Sequence, residues 1–389
     1  MLKQQRMTRR ECLGRTAAWT AAGWAAPYFI PARVLAGPGR PGANDRVGVA
    51  YIGAGRRARQ LMHLPPDATM VAVCDVLRPR AEEIAAQHGC LASDDYRQLL
   101  DRKDVDAVVV ATPDHWHALA SLHACQAGKD VYCEKPLTLT IHEGRRLVEA
   151  ARKYERVFQT GSQQRSMAAN RIACELVRRG RFGKIHRVVG HNYPSPWECD
   201  FPAQKVPTGL DWDRWCGPTE PRPYHEDLFR PRAKPGWISF RPFSGGEMTG
   251  WGAHGLDQIQ WALGMDASGP VEVGVSGPKM VPPTYSVPAS QQEGIAACSH
   301  PTVYFRYPVP PEVGSHDKPI EKTNFFPRTI EVKLGDGPPG GAIFLGDAGQ
   351  ITIGRGRFTV EPEELSREIL AEVGPIPDGE DHLQKWIAS

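Results

Sequence analysis

The nine cysteines of this 389-residue chain include no CxxC pair, which argues against zinc-binding and thioredoxin-like chemistry. Long apolar runs are also missing. The best stretch, Ala17–Ile30, is short, and Pro27 and Pro31 interrupt it, so it falls short of a bilayer span. The chain has no internal repeat and no extended run of like charge. Excess positive charge is confined to the first residues. Residues 1–36 carry six positive groups and one negative, so the formal charge of +3 becomes −2 without them. No basic patch remains to argue for nucleic acid.

Those first residues have an order of their own. Thr8-Arg9-Arg10 precedes the weakly apolar stretch, and Val34-Leu35-Ala36 follows it. This resembles a twin-arginine export signal cut after Ala36. The reading makes the mature protein periplasmic or otherwise exported, where disulfides are permitted. Residues 37–45 then form a Gly/Pro-rich linker.

From Arg46 the chain alternates strands and helices. Arg46–Gly53 (RVGVAYIG) reads as a buried strand, and Gly53-Ala54-Gly55-Arg56-Arg57-Ala58 follows it into a helix. This is the G-x-G-x-x-G/A dinucleotide fingerprint: a tight turn, a backbone open to pyrophosphate, and close helix packing. Met70–Val76 is a second strand. Asp75, 22 positions after Gly53, is placed to bind both ribose hydroxyls, favouring NAD, while Arg78 and Arg80 leave room for the 2′-phosphate of NADP. Val105–Thr112 is a third strand, and Pro113-Asp114-His115-Trp116-His117 opens the next helix. Val131–Cys133 ends in Glu134-Lys135-Pro136, which sets an amine on a stiff turn where open parallel sheets bind ligands. Cys74 and Cys133, inside apolar strands, read as core residues.

The pattern changes near residue 160. Strands at His186–Tyr193, Val271–Ser276, Thr302–Tyr307, Thr329–Leu334, Ala342–Leu345 and Gln350–Ile353 lack regular intervening helices. The fold class is therefore α/β, a doubly wound parallel sheet followed by an α+β domain with a large, mainly antiparallel sheet. Trp212, Trp215, Tyr224 and Trp237 lie in a loop-rich stretch. They either stack on sugar faces or pack the loops together.

The motif order GAGRRA, CDV, ATPDHWHA, VYCEKPLTLT, GSQQRS and GGEMTGWGAHGLDQIQWALG resembles the Gfo/Idh/MocA oxidoreductases, from about Arg46 to the C-terminus. The resemblance implies a Rossmann NAD(P)-binding domain (46–160) and a substrate and oligomerisation domain (161–389), truncated at the C-terminus, with self-association through the second sheet. It implies hydride transfer at a sugar or cyclitol hydroxyl, with Lys135 and His254 as catalytic residues and no metal. Its cofactor contacts are Gly53, Ala54, Gly55, Arg56, Arg57, Asp75, Thr112, Pro113, His117, Glu134, Lys135 and Gln163. Its substrate contacts are Lys135, Arg165, Tyr193, Trp237, His254 and Asp257. Relatives carry Asp four positions before the histidine, where this chain has Gly250. The carboxylate that would pair with Lys135 is therefore expected to be absent. Asp257, one helical turn after His254, can share its face.

Export constrains the chemistry, because an exported enzyme must carry its cofactor and regenerate it. Coupled oxidation and reduction of two sugars satisfies this. So does a glycosidase that works through a transient keto-sugar and elimination. A sugar- or dinucleotide-binding protein without turnover is the non-enzymatic alternative.

Overall fold

The computed structural model describes residues 42, 45–193, 196–231, 236–279, 284–286, 301–308 and 329–389. The expected export signal lies outside them. By compactness the chain divides into residues 1–46 and Val47–Ser389, and everything below concerns the second unit.

The first half follows the alternation of the sequence. It runs β1 (Val47–Ile52), α1 (Arg56–Arg59), β2 (Ala68–Cys74), α2 (Arg78–His88), β3 (Leu91–Ser93), α3 (Tyr96–Leu100) and β4 (Ala107–Val110). It continues through α4 (Asp114–Gln126), β5 (Asp130–Cys133), α5 (Ile141–Lys153) and β6 (Phe158–Thr160). Among the described residues these strands form one six-stranded sheet, ordered β3-β2-β1-β4-β5-β6, and every pairing is parallel. Helices cover both faces, so β4 and most of β1 and β5 are buried throughout, as parallel sheets require. The order reverses beside β1, and the carboxyl ends of β1, β4 and β5 open onto a cleft there.

The second half contains α6 (Ala168–Arg178), β7 (Ile185–His191), β8 (Glu198–Cys199), α7 (Trp212–Cys216), α8 (Glu226–Phe229) and α9 (Glu247–Ala262). After them come β9 (Glu272–Ser276), β10 (Thr284–Tyr285), β11 (Thr302–Pro308), β12 (Thr329–Gly335), β13 (Ala342–Gly346), β14 (Gly349–Gly354), β15 (Arg357–Glu361), α10 (Glu363–Val373) and α11 (His382–Ile387). Seven described strands form the large sheet β15-β14-β13-β7-β12-β11-β9. It is antiparallel except for the β7–β12 pair. Helices α6 and α9 pack on one face, burying Ala173, Cys174, Ile259 and Ala262 against Val188, Val332, Phe344 and Ile351. That packing presents the edge of α9 to the cleft.

Trp212, Trp215 and Tyr224 belong to a buried aromatic cluster with Phe240 and Phe243, and the two tryptophan rings stack 4.4 Å apart. The seven described cysteines are free thiols. No described helix is long and apolar enough to cross a membrane.

Candidate active site

The cleft encloses about 1080 Å³ and draws residues from both halves. At its floor, the turn after β1 closes on Gly53, which has φ +93 and whose added Cβ would lie 2.7 Å from Ala111 O. Only glycine fits there. Gly55 has open space where a side chain would stand, so its backbone can be approached closely. Asp75 holds this loop in place. Its carboxylate accepts from Ala54 N at 2.9 Å and Leu77 N at 2.8 Å, with Arg80 Nη1 3.3 Å away. A carboxylate offers about four acceptor sites, so Asp75 supports the glycine loop and keeps capacity for a ribose hydroxyl. Thr112 Oγ1 is buried in the cleft wall without a hydrogen-bond partner. Open glycine backbone, an acidic strand end and an orphaned hydroxyl fit a dinucleotide held by Gly53–Arg57, Asp75 and Thr112.

Glu134 is a buried junction. It accepts from Arg57 Nε at 2.8 Å and from Gln163 Nε2 at 2.7 Å, and the same Gln163 amide also reaches Tyr132 at 2.9 Å. Glu134 thus pairs with Arg57, which leaves Lys135 to face the second half. Its Nζ donates to Gly250 O at 3.2 Å.

His254, on α9, is 5% exposed and lines the same cleft as Lys135. Burial first, then the charges of Lys135, Arg355 and Arg57, push its pKa down to about 3. The imidazole is therefore neutral at ordinary pH. Arg355 Nη1 lies 3.4 Å from Nε2, which is consistent with Nε2 as the unprotonated nitrogen.

Most expected contacts line the cleft: the glycine loop, Asp75, Thr112, Pro113, His117, Glu134, Lys135, Gln163, Trp237 and His254. His117 also clamps two loops, with Nδ1 2.6 Å from Pro136 O and Nε2 3.0 Å from Thr112 O. Three expected substrate contacts do not line it. Arg165 and Asp257 form a bidentate ion pair at 2.8–3.0 Å, which Asp266 extends at 2.7 Å. The strong guanidinium–carboxylate fork draws Asp257 away from His254. Tyr193 accepts from Gly340 N at 3.0 Å and packs on His191.

Position 250 is glycine, as the sequence shows, and Glu247 stands beside it. A Cβ built on Gly250 would stand 3.0 Å from Glu247 Oε2. A carboxylate from the preceding helical turn therefore occupies the room that Gly250 leaves. Asp114, buried at the start of α4, accepts from Ser244 Oγ at 2.7 Å. Burial raises its pKa, while the charges of His117 and Lys135 oppose the rise and that of Glu247 adds to it. Asp114 is thus a carboxylate from another position whose charge meets that of Lys135. Sequence reasoning missed Asp114, Glu247, Trp251 and Arg355. Asp114 lies in Pro113–His117 at a strand's carboxyl end, and Glu247 and Trp251 lie in the motif that contains His254, so a signal was present for those three and not for Arg355.

Residues 47–162 match the NAD-binding Rossmann fold of the Gfo/Idh/MocA oxidoreductase family, and residues 177–287 match that family's C-terminal α/β domain. The chain is 31% identical over 167 residues to inositol 2-dehydrogenase of Salmonella typhimurium, covering 42% of this chain and 48% of that protein. It is 32% identical over 146 residues to scyllo-inositol 2-dehydrogenase (NAD(+)) of Bacillus subtilis, covering 36% and 43%. The chain thus spans about half the length of the curated relatives it matches, or less. In fold it is similar to the WlbA dehydrogenase from Chromobacterium violaceum, solved with NADH and UDP-GlcNAcA. The TM-score is 0.54 at 17% identity, over 88% of this chain and 84% of that one.

Proposed function

This chain belongs to the Gfo/Idh/MocA oxidoreductase family, and on that premise we propose that it interconverts a secondary hydroxyl and a carbonyl on a sugar or cyclitol, using NAD. The observation that carries the reading is Lys135 and a neutral His254 lining one cleft with the glycine loop. When bound, the cofactor supplies the redox chemistry at the carbinol carbon. The chain's own residues handle the oxygen. His254 Nε2 takes the hydroxyl proton, and the Lys135 ammonium holds the oxygen as negative charge grows on it. In the reverse direction His254 returns the proton. Trp237 and Trp251 provide apolar walls for a ring.

The same reading includes export by the twin-arginine route with a tightly held, recycled cofactor, and self-association through the C-terminal sheet, whose edge strand β9 exposes Val273 and Val275. Size-exclusion chromatography with light scattering measures the association.

The central test adds sugars and cyclitols to purified protein and follows cofactor absorbance near ~340 nm, with product masses measured alongside. Lys135→Ala should keep NAD affinity within about three-fold and lose about 10²–10⁴ in turnover, the span of a positioned proton-transfer or charge-stabilising group. Normal turnover in that variant would sink the assignment.

A further inference from the structure

Of the three cations near His254, two have carboxylate company. Arg57 is paired to Glu134 at 2.8 Å. Lys135 acts on Asp114, as does Glu247. Arg355 has no carboxylate within 4 Å among the described residues. The carboxylate whose charge it feels, Glu134, is already engaged by Arg57 and Gln163. Burial and the charge of Arg57 both work against the Arg355 guanidinium, so beside His254 it is the one cation that no carboxylate of the described residues pairs.

That cation is also held in place. Arg355 occupies the tight turn joining β14 to β15, where Gly354 pairs with Arg357. The buried side chain of Asn170 grips the turn from both sides. Its Nδ2 donates to Gly354 O at 2.7 Å and its Oδ1 accepts from Gly356 N at 2.8 Å. Gln258 Oε1 steadies the same Nδ2 at 2.8 Å. From this turn the guanidinium reaches His254 at 3.4 Å and lies 6.0 Å over the Trp251 ring. A surface arginine on a free hairpin would have no such anchorage.

We propose that the sugar taken by this site carries a carboxylate, and that Arg355 receives it. One positive charge without a paired carboxylate matches a monoanion, and the planar fork of a guanidinium matches a planar carboxylate. The group lies beside His254, the residue assigned above to the reacting hydroxyl. An anion seated there would also offset a charge that now opposes protonation of His254, easing the proton transfer described above. The substrate class is therefore a uronic or aldonic acid. The inference rests on the reading of the cleft as a sugar-oxidising site.

The test is calorimetric binding to the NAD-loaded full chain. Glucuronate, galacturonate and gluconate are compared with glucose, galactose and myo-inositol, and with glucose 6-phosphate. Charge-assisted hydrogen bonds should favour the best carboxylate over its neutral counterpart by about ten- to a hundred-fold. Arg355→Gln should bring the two together, and Arg355→Lys should keep part of the difference. NAD affinity and circular dichroism of each variant show that it is folded. Neutral sugars binding as well as acids, or a preference for the phosphate, would overturn the carboxylate assignment and leave the oxidoreductase reading standing. A carboxylate preference untouched by Arg355→Gln would overturn the role of Arg355. Failure of every sugar to bind would overturn both readings.

Discussion

Acidification is expected to weaken this protein through His254, and the effect can be sized. In the unfolded chain the imidazole takes up its proton near pH 6.5, whereas in the folded chain burial and three neighbouring cations delay protonation to about pH 3. Between those limits the unfolded state binds more protons, so stability falls as pH falls through the window and is constant above it. At pH 5, about 1.5 units below the unfolded value, His254 alone removes about 2 kcal/mol relative to pH 8. His254→Gln keeps a polar side chain of similar size without the titration. Its loss of stability between pH 8 and pH 5 should be smaller than that of the wild type by about 2 kcal/mol. Urea unfolding of the cofactor-free protein at the two values measures this. Other histidines with lowered pKa values, His115 at about 4 among them, are common to both proteins and cancel in the difference. Parallel stability curves would refute the assignment of a buried, neutral His254.

Two further substitutions test the architecture around the cleft. Gly250→Asp should destabilise the protein by about 1–3 kcal/mol, because the new side chain meets the Glu247 carboxylate. Adding Glu247→Ala should recover most of that loss, and an additive double mutant in thermal unfolding would show that the two positions do not share space. Gly53→Ala should cost about 2–4 kcal/mol and weaken NAD binding, since both φ and the Ala111 carbonyl oppose a side chain. Unchanged stability and cofactor affinity would contradict the described turn.

The cofactor half was legible because its signals are local. β1 and its glycine loop are contiguous, and Asp75 falls at a fixed distance along the chain. Lys135 was legible for the same reason, fixed by the turn that follows its strand. Arg355 was not, because it lies in a short turn that reads like any exposed hairpin, 220 positions after Lys135 in the chain. Only the sheet order β15-β14-β13-β7 and the grip of Asn170 bring it to His254. Asp257 misled for the converse reason. Its spacing from His254 was suitable, but an arginine from the 3₁₀ turn Gln163–Ser166 competes for it. Gly250 was read as a loss because sequence compares position with position. In space, a longer acidic side chain from one turn earlier fills the same volume.

The helix α11 has a consequence for how the chain matures. Leu383 and Trp386 are buried in the same core as Val49, Tyr51 and Tyr132, and His382 lies 3.0 Å from Thr160 O and 2.7 Å from Ser166 Oγ. The nucleotide-binding half therefore lacks two of its own core side chains until residues 383–386 have been synthesised. A nascent chain released before that point would display an apolar socket beneath β1 and β5. Strand β1 and helix α11, far apart along the chain, close a single core, so the nucleotide-binding half is packed in full only once both have been made.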